Sequence, residues 1–173
     1  MDDVTITYLQ MTDRGQLRAR PTTDPLFEVR EATVRQWQVN RFFYECIGGD
    51  YRWHDKLAWS DEQWRAYVED ESLRTFIASW GGSPAGYFEL ASRDGAVEIA
   101  YFGLLPAFTG RGLGAALLTR ALEEAWAMGP SRVWVHTCTL DHPGALPNYL
   151  ARGMVPYKTE QAGLRPPSAE HAP

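Results

Sequence analysis

Apolar positions along the chain change period several times, and each change marks an element. Thr5 to Leu9 alternates β-branched with other residues and predicts a strand. The polar stretch over 11–25, with two prolines, predicts a loop. Thr33-Val34-Arg35-Gln36 has the spacing of a capping box, so a helix is expected to follow to about Ile47, where Gly48-Gly49 ends it. Val39, Phe42, Phe43 and Cys46 fall at helical spacing within it. A second helix start is written at Ser60: Ser60 and Gln63 can cap reciprocally, and Trp59 and Trp64 occupy the two positions of a hydrophobic staple. That helix should run to roughly Glu69.

Strand patterning follows. Arg74 to Trp80, Ala85 to Ser92 and Ala96 to Leu104 are separated by Gly81-Gly82-Ser83-Pro84 and by Arg93-Asp94-Gly95, and turns this short imply an antiparallel meander. Past Pro106 the period returns to helical. From Gly112 to Met128, Leu113, Leu117, Leu118, Ala121, Leu122 and Ala125 form one face and Arg120, Glu123 and Glu124 the other, before Gly129-Pro130. A buried-type strand over Arg132 to Thr137, a short helix over about Ala145 to Arg152 and a last strand over Met154 to Lys158 complete the order. The strand-helix-strand unit from Ala96 to Thr137 should be a right-handed parallel crossover. Residues 1–160 therefore read as one domain, and the proline-containing tail 161–173 as mobile.

Composition narrows the class. The 173 residues, 45% of them hydrophobic, suit a single soluble core, and no apolar run is long enough to span a membrane. The acidic start Met1-Asp2-Asp3-Val4 has no signal-peptide core. Two cysteines, Cys46 and Cys138, have no metal-ligand spacing and make no disulfide framework, so a reducing cytoplasm is expected and no metal. The net charge of -5 disfavours nucleic acid and is compatible with a cationic amine. Five of the seven tryptophans lie between Trp37 and Trp80; Trp37 and Trp80 read as core, while Trp53 and Trp59 are open between packing and an aromatic substrate cleft.

The chemical signal is Thr109-Gly110-Arg111-Gly112-Leu113-Gly114 between strand and helix. Glycines there let main-chain N–H groups approach an anion, the helix start adds partial positive charge, and Arg111 can bond a phosphate directly. A plain tight turn is a weaker reading, because three alternate glycines cost helix stability. A dinucleotide fingerprint matches formally. However, Pro106 to Thr109 separates strand from glycines, and Val133, Trp134 and Val135 stand where a ribose-binding acid belongs. No Lys-Ser/Thr follows, which excludes a P-loop.

From Val97 onward the chain resembles the GNAT superfamily of acyl-CoA N-acyltransferases. The resemblance is carried by Glu98 to Pro106, then Thr109 to Gly114, then Asn148-Tyr149-Leu150-Ala151-Arg152-Gly153-Met154. It covers about 60 residues specifically, and the element order extends it. Thr109 departs from the Gln or Arg usual at the first loop position, which bears on one side-chain contact. The resemblance implies an α+β fold with a mixed, mainly antiparallel sheet flanked by helices, and a splayed strand pair that admits the pantetheine arm. It also implies acetyl-CoA as donor, held by Phe102, Gly103, Leu104, Thr109, Gly110, Arg111, Gly112, Leu113, Gly114 and Ala115, with Gly103 easing a bulge. Leu104 N–H would stabilise the oxyanion and Tyr149 would protonate the leaving thiolate. Glu98 would be the base, its pKa raised by burial, with His136 or a water chain as the alternatives; equally, Glu98 fits a solvent-facing place on an alternating strand and His136 a hydrogen-bonded core histidine. Asp141 and His142 could touch substrate, but read first as residues that turn the chain and cap the next helix. The expected activity is N-acetyl transfer in a ternary complex to a small-molecule primary amine, without membrane or nucleic-acid partner, a homodimer being left open. A non-catalytic acyl-CoA binding or sensing module is the alternative.

Overall fold

The computed structural model of the chain describes residues 4–162. A seven-stranded sheet runs through it, built from β1 (Val4–Met11), β2 (Phe27–Glu31), β3 (Leu73–Trp80), β4 (Ser83–Arg93), β5 (Ala96–Leu104), β6 (Arg132–Cys138) and β7 (Val155–Ala162). Four helices flank it: α1 (Trp37–Gly48), α2 (Asp61–Glu69), α3 (Leu113–Ala127) and α4 (Ala145–Ala151). The strand order is β2-β3-β4-β5-β6-β1-β7, antiparallel except where β5 and β6 run parallel. The N-terminal strand thus lies between the last two strands of the chain.

Each face of the sheet has its own packing. On one, Leu117, Leu118, Ala121, Leu122 and Ala125 of α3 meet Phe88, Leu90, Val97, Ile99, Val133 and Val135, all essentially inaccessible. On the other, Phe43 and Ile47 of α1 pack on Tyr87, and Tyr44 packs on Trp64 and Val68 of α2. The Ser60–Gln63 capping box is formed in both directions, and the Trp59 and Trp64 rings meet edge to face at 5.4 Å. The hairpin turn between β4 and β5 places Asp94 and Gly95 at φ 49° and 74°, the left-handed pair that a two-residue turn matching strand twist requires.

Several elements differ from the patterning. Strand β2 lies just after the expected loop and pairs with β3 from Phe27↔Trp80 to Glu31↔Phe76. No capping box forms at Thr33: α1 begins at Trp37, and Gln36 makes no side-chain cap. Tertiary bonds hold that segment instead, with Ala32 N–H on the Thr75 carbonyl and the Arg35 guanidinium on the carbonyls of Glu69 and Asp70. The buried face of α1 carries Asn40, Phe43, Tyr44 and Ile47, while Phe42 and Cys46 are exposed. The last strand takes in Gln161 and Ala162, so the tail begins later than expected; the rest of it lies outside the described residues. None of the described helices is long and apolar enough to cross a membrane.

Candidate active site

The site begins where β5 and β6 part. Their parallel register is Ala96↔Arg132, Val97↔Val133 and Glu98↔Trp134, and it stops there. Beyond it β5 continues to Leu104 on β4, and β6 continues to Cys138 on β1. The bulge that reorients β5 is at Ala100, not at Gly103: Glu89 faces Tyr101 and Leu90 faces Ile99, leaving Ala100 over. Gly103 serves packing, since a Cβ there would sit 2.7 Å from Ile47 Cγ2. The extra residue turns Phe102 and Leu104 toward α3, while Tyr101 packs with α1. Leu105 N–H bonds the Ala85 carbonyl at 2.8 Å, so the alternation of an antiparallel ladder directs the main-chain groups of Leu104 and Phe102 away from β4, into the splay.

At the end of β5 the chain makes the turn Pro106–Phe108 and enters the glycine-rich loop. Gly110 and Gly112 have φ of 77° and 76°, a conformation that only glycine adopts cheaply, and nothing lies within 4 Å of where their Cβ atoms would be. Among the described residues, no protein acceptor bonds the main-chain N–H groups of Gly110, Arg111 or Gly112, and no side chain caps α3. The first turn of α3, including Leu113, Gly114 and Ala115, adds N–H groups without intrahelical partners. The Arg111 guanidinium lies 5.5 Å from the Trp80 ring and 5.9 Å from that of Phe108, on the flank of this cradle. Asp24 accepts the Trp80 indole N–H at 2.8 Å and the Leu26 main-chain N–H at 2.9 Å, and those bonds, with a smaller contribution from Arg111, hold its carboxyl below the usual carboxylate range. Thr109 turns its hydroxyl back onto the Pro106 carbonyl at 2.8 Å, so it closes the turn.

Helix α4 docks on the loop through Asn148, whose amide donates to the Gly114 carbonyl at 3.0 Å. The next residue, Tyr149, is 6% exposed, with its ring 6.1 Å from that of Phe102. Burial, with the Asp141 carboxylate second, pushes the Tyr149 phenol well above its ordinary value. It therefore keeps its proton at neutral pH.

Glu98 and His136 meet on the opposite face, with His136 Nδ1 3.5 Å from Glu98 Oε1. The Glu98 side chain is 19% exposed and that of His136 42%, so the pair is neither deeply buried nor freely solvated. Tyr8 and Trp134 flank His136, at ring separations of 5.7 and 6.2 Å.

Other residues line the cleft, among them Trp53 and Asp141, which the sequence left open, and Tyr101 and Asp55, which it did not mark. Trp53, from the link between α1 and α2, packs edge to face on Tyr101 at 5.0 Å, and its indole N–H reaches Asp141 Oδ1 at 3.5 Å. Asp141 also accepts Thr137 Oγ1 at 2.5 Å and Cys138 N–H at 3.1 Å, so it does turn the chain, and it faces the cleft as well. Behind Tyr101 is a buried polar layer. Asp55 accepts hydroxyls from Tyr44 (2.6 Å) and Tyr101 (2.8 Å) and the Lys56 ammonium (2.8 Å), which itself lies 4.4 Å from the Trp59 ring centre. Burial would raise the Asp55 carboxyl, but Lys56 and the two phenols outweigh it and hold it below its ordinary value. Deeper still, Glu89 accepts Asn40 Nδ2 at 2.7 Å and Tyr67 OH at 2.5 Å. Desolvation dominates there and raises its carboxyl above the ordinary range.

Comparison with known proteins identifies the family and the fold. The model of the acetyltransferase (GNAT) family matches residues 30–154. The chain belongs to that family. A mycothiol acetyltransferase from Clavibacter michiganensis subsp. michiganensis is 36% identical over 110 residues, 62% of this chain and 34% of the relative. The matched stretch thus spans about a third of that relative. Among solved structures, a GCN5-related N-acetyltransferase from Sphaerobacter thermophilus superposes with a TM-score of 0.70 at 18% identity, over 93% of this chain and 51% of that one. An aminoglycoside acetyltransferase from an uncultured soil metagenomic sample, in complex with trehalose, gives 0.63 at 12% identity, over 76% and 90%. At such identities these two likenesses concern the GNAT fold.

Proposed function

We propose that the chain transfers an acetyl group from acetyl-CoA to a primary amine of a small molecule, by direct attack within a ternary complex. The observation that carries this reading is the run of unbonded N–H groups at Gly110–Gly112 at one end of a strand edge left open from Ile99 to Leu104. The residues fit the donor: open left-handed glycines admit a diphosphate against the backbone, Arg111 supplies a charge, and the free edge of Phe102–Leu104 can pair with an amide-bearing arm as a strand would.

In the reaction a nitrogen–carbon bond forms and the thioester carbon–sulfur bond breaks. Glu98, with His136 beside it, takes the proton that the amine must lose, directly or through a water. Leu104 N–H, directed into the splay, stabilises the developing oxyanion. Tyr149, kept protonated by burial, donates to the departing thiolate. The carboxylates of Glu98 and Asp141 and the rings of Trp53 and Tyr101 suit an acceptor that arrives as a cation. The name of the mycothiol acetyltransferase relative is compatible with a small-molecule acceptor. Two free cysteines, with no disulfide between them, support a cytoplasmic site of action.

The test is to mix the protein with acetyl-CoA and a panel of small amines while following free thiol. Amine-dependent thiol release, with acetylated product by mass, is expected. Saturable acetyl-CoA binding without thiol release across the panel would favour a sensing module; absence of binding would overturn the reading.

A further inference from the structure

We propose that the Trp53 indole, which also faces the acceptor, bounds the acyl group on the far side of the splay between β5 and β6 and limits the donor to acetyl. The proposal rests on the acyl-CoA reading above. The phosphate cradle, Leu104 and Tyr149 all belong to the α3 and α4 side of the sheet. Trp53 belongs to the other side, packed with the residues of α1. It touches both banks of the splay there, with its ring on Tyr101 of β5 at 5.0 Å and its indole N–H toward Asp141, just beyond β6, at 3.5 Å. An acyl chain with its thioester between the strands extends from the donor side toward this indole.

The fold holds that indole firmly. The main-chain N–H of Trp53 bonds the Gly48 carbonyl at 3.1 Å, and Arg52 takes a left-handed φ of 56° to turn the chain inward. Gly48 makes room, since a Cβ there would lie 2.5 Å from Trp53 Cβ. The Tyr44 ring supports the indole at 5.6 Å. Both banks are fixed in turn: Tyr101 by its bond to Asp55, and Asp141 by Thr137 and the Cys138 N–H. A longer acyl group therefore meets a braced ring rather than a mobile side chain.

The experiment needs no acceptor. Acetyl-, butyryl- and hexanoyl-CoA are titrated calorimetrically into wild type, Trp53→Ala and Trp53→Phe, with circular dichroism to check folding. All three ligands share the nucleotide and pantetheine, so affinity ratios isolate the acyl group. Wild type is expected to prefer acetyl-CoA over hexanoyl-CoA by about tenfold or more, the scale on which one or two methylenes are discriminated by a packed pocket. Trp53→Ala should lose that preference, and Trp53→Phe, which keeps a ring but not the N–H, should retain part of it. If wild type binds the three alike, or folded Trp53→Ala and Trp53→Phe both discriminate as wild type does, the proposal falls. If wild type binds none of them, the acyl-CoA reading falls first and the proposal with it.

Discussion

Glu98 Oε1 and His136 Nδ1 stand 3.5 Å apart at the point where β5 and β6 part. The contact can make them act as one proton-accepting unit, or leave the imidazole orienting the carboxylate. Glu98→Gln preserves shape and removes the base. It is expected to lower kcat by about 10²–10³-fold, within the range of general-base catalysis, with KM for acetyl-CoA little changed. His136→Gln should cost less, because the Glu98 carboxylate remains to accept the proton. Steady-state kinetics checks both; an equal loss from both variants would mean that proton transfer runs through the imidazole.

Tyr149 lies on the other face, where burial raises its pKa. A raised phenol stays protonated through neutral and mildly alkaline solution, so no falling limb from this group should appear below the ordinary value of 10.0. Tyr149→Phe keeps the packing against Phe102 and removes the proton. A drop in kcat of about 10–100-fold with unchanged acetyl-CoA affinity is expected, measured by turnover and by calorimetric titration. An undiminished rate would take the acid role from Tyr149.

Local patterning carried most of the element order, because the Ser60 cap, the two glycine-bearing hairpin turns and the α3 stripe are decided by neighbours in sequence. It failed where distant residues decide. The Thr33–Gln36 box gave way to Arg35 bonding the end of α2, and Asn40 took a buried place on α1 because Thr75 and Glu89 bond it. The glycine loop and Tyr149 were legible as a motif. Tyr101 and Asp55 were not, and Trp53 and Asp141 stayed open between a structural place and one at the cleft, since such roles come from contacts across 46 to 88 positions of sequence. The bulge moved from Gly103 to Ala100 because a glycine marks room, and here the room is taken by Ile47.

Gly112 tests the cradle most directly. Its φ of 76° makes any side chain cost about 1–2 kcal/mol, while the open space around it means that no clash adds to that. Gly112→Ala should therefore lower the melting temperature slightly and weaken acetyl-CoA modestly. Gly112→Asp adds a negative charge beside the N–H groups of the loop and should weaken acetyl-CoA at least tenfold more than alanine does. Calorimetric titration of both folded variants checks this, and equal affinities would remove the loop as the phosphate site.

Glu89 offers a test of the buried layer that is independent of turnover. Its carboxyl is raised chiefly by desolvation, opposed by the bonds from Tyr67 and Asn40. The folded state therefore holds its proton more tightly than the unfolded chain, whose value is near the ordinary 4.5. By linkage, stability from this group is complete below that value and is lost as pH rises through the folded pKa. Glu89→Gln keeps the shape and an oxygen for Asn40, and carries no charge to desolvate. Melting temperatures of wild type and variant, taken from about pH 4 to about pH 8, should shift in favour of the variant as pH rises. A difference independent of pH would mean that Glu89 titrates alike in both states. A variant losing ground as pH rises would mean that the folded protein favours the carboxylate, with Lys56 rather than desolvation deciding its charge.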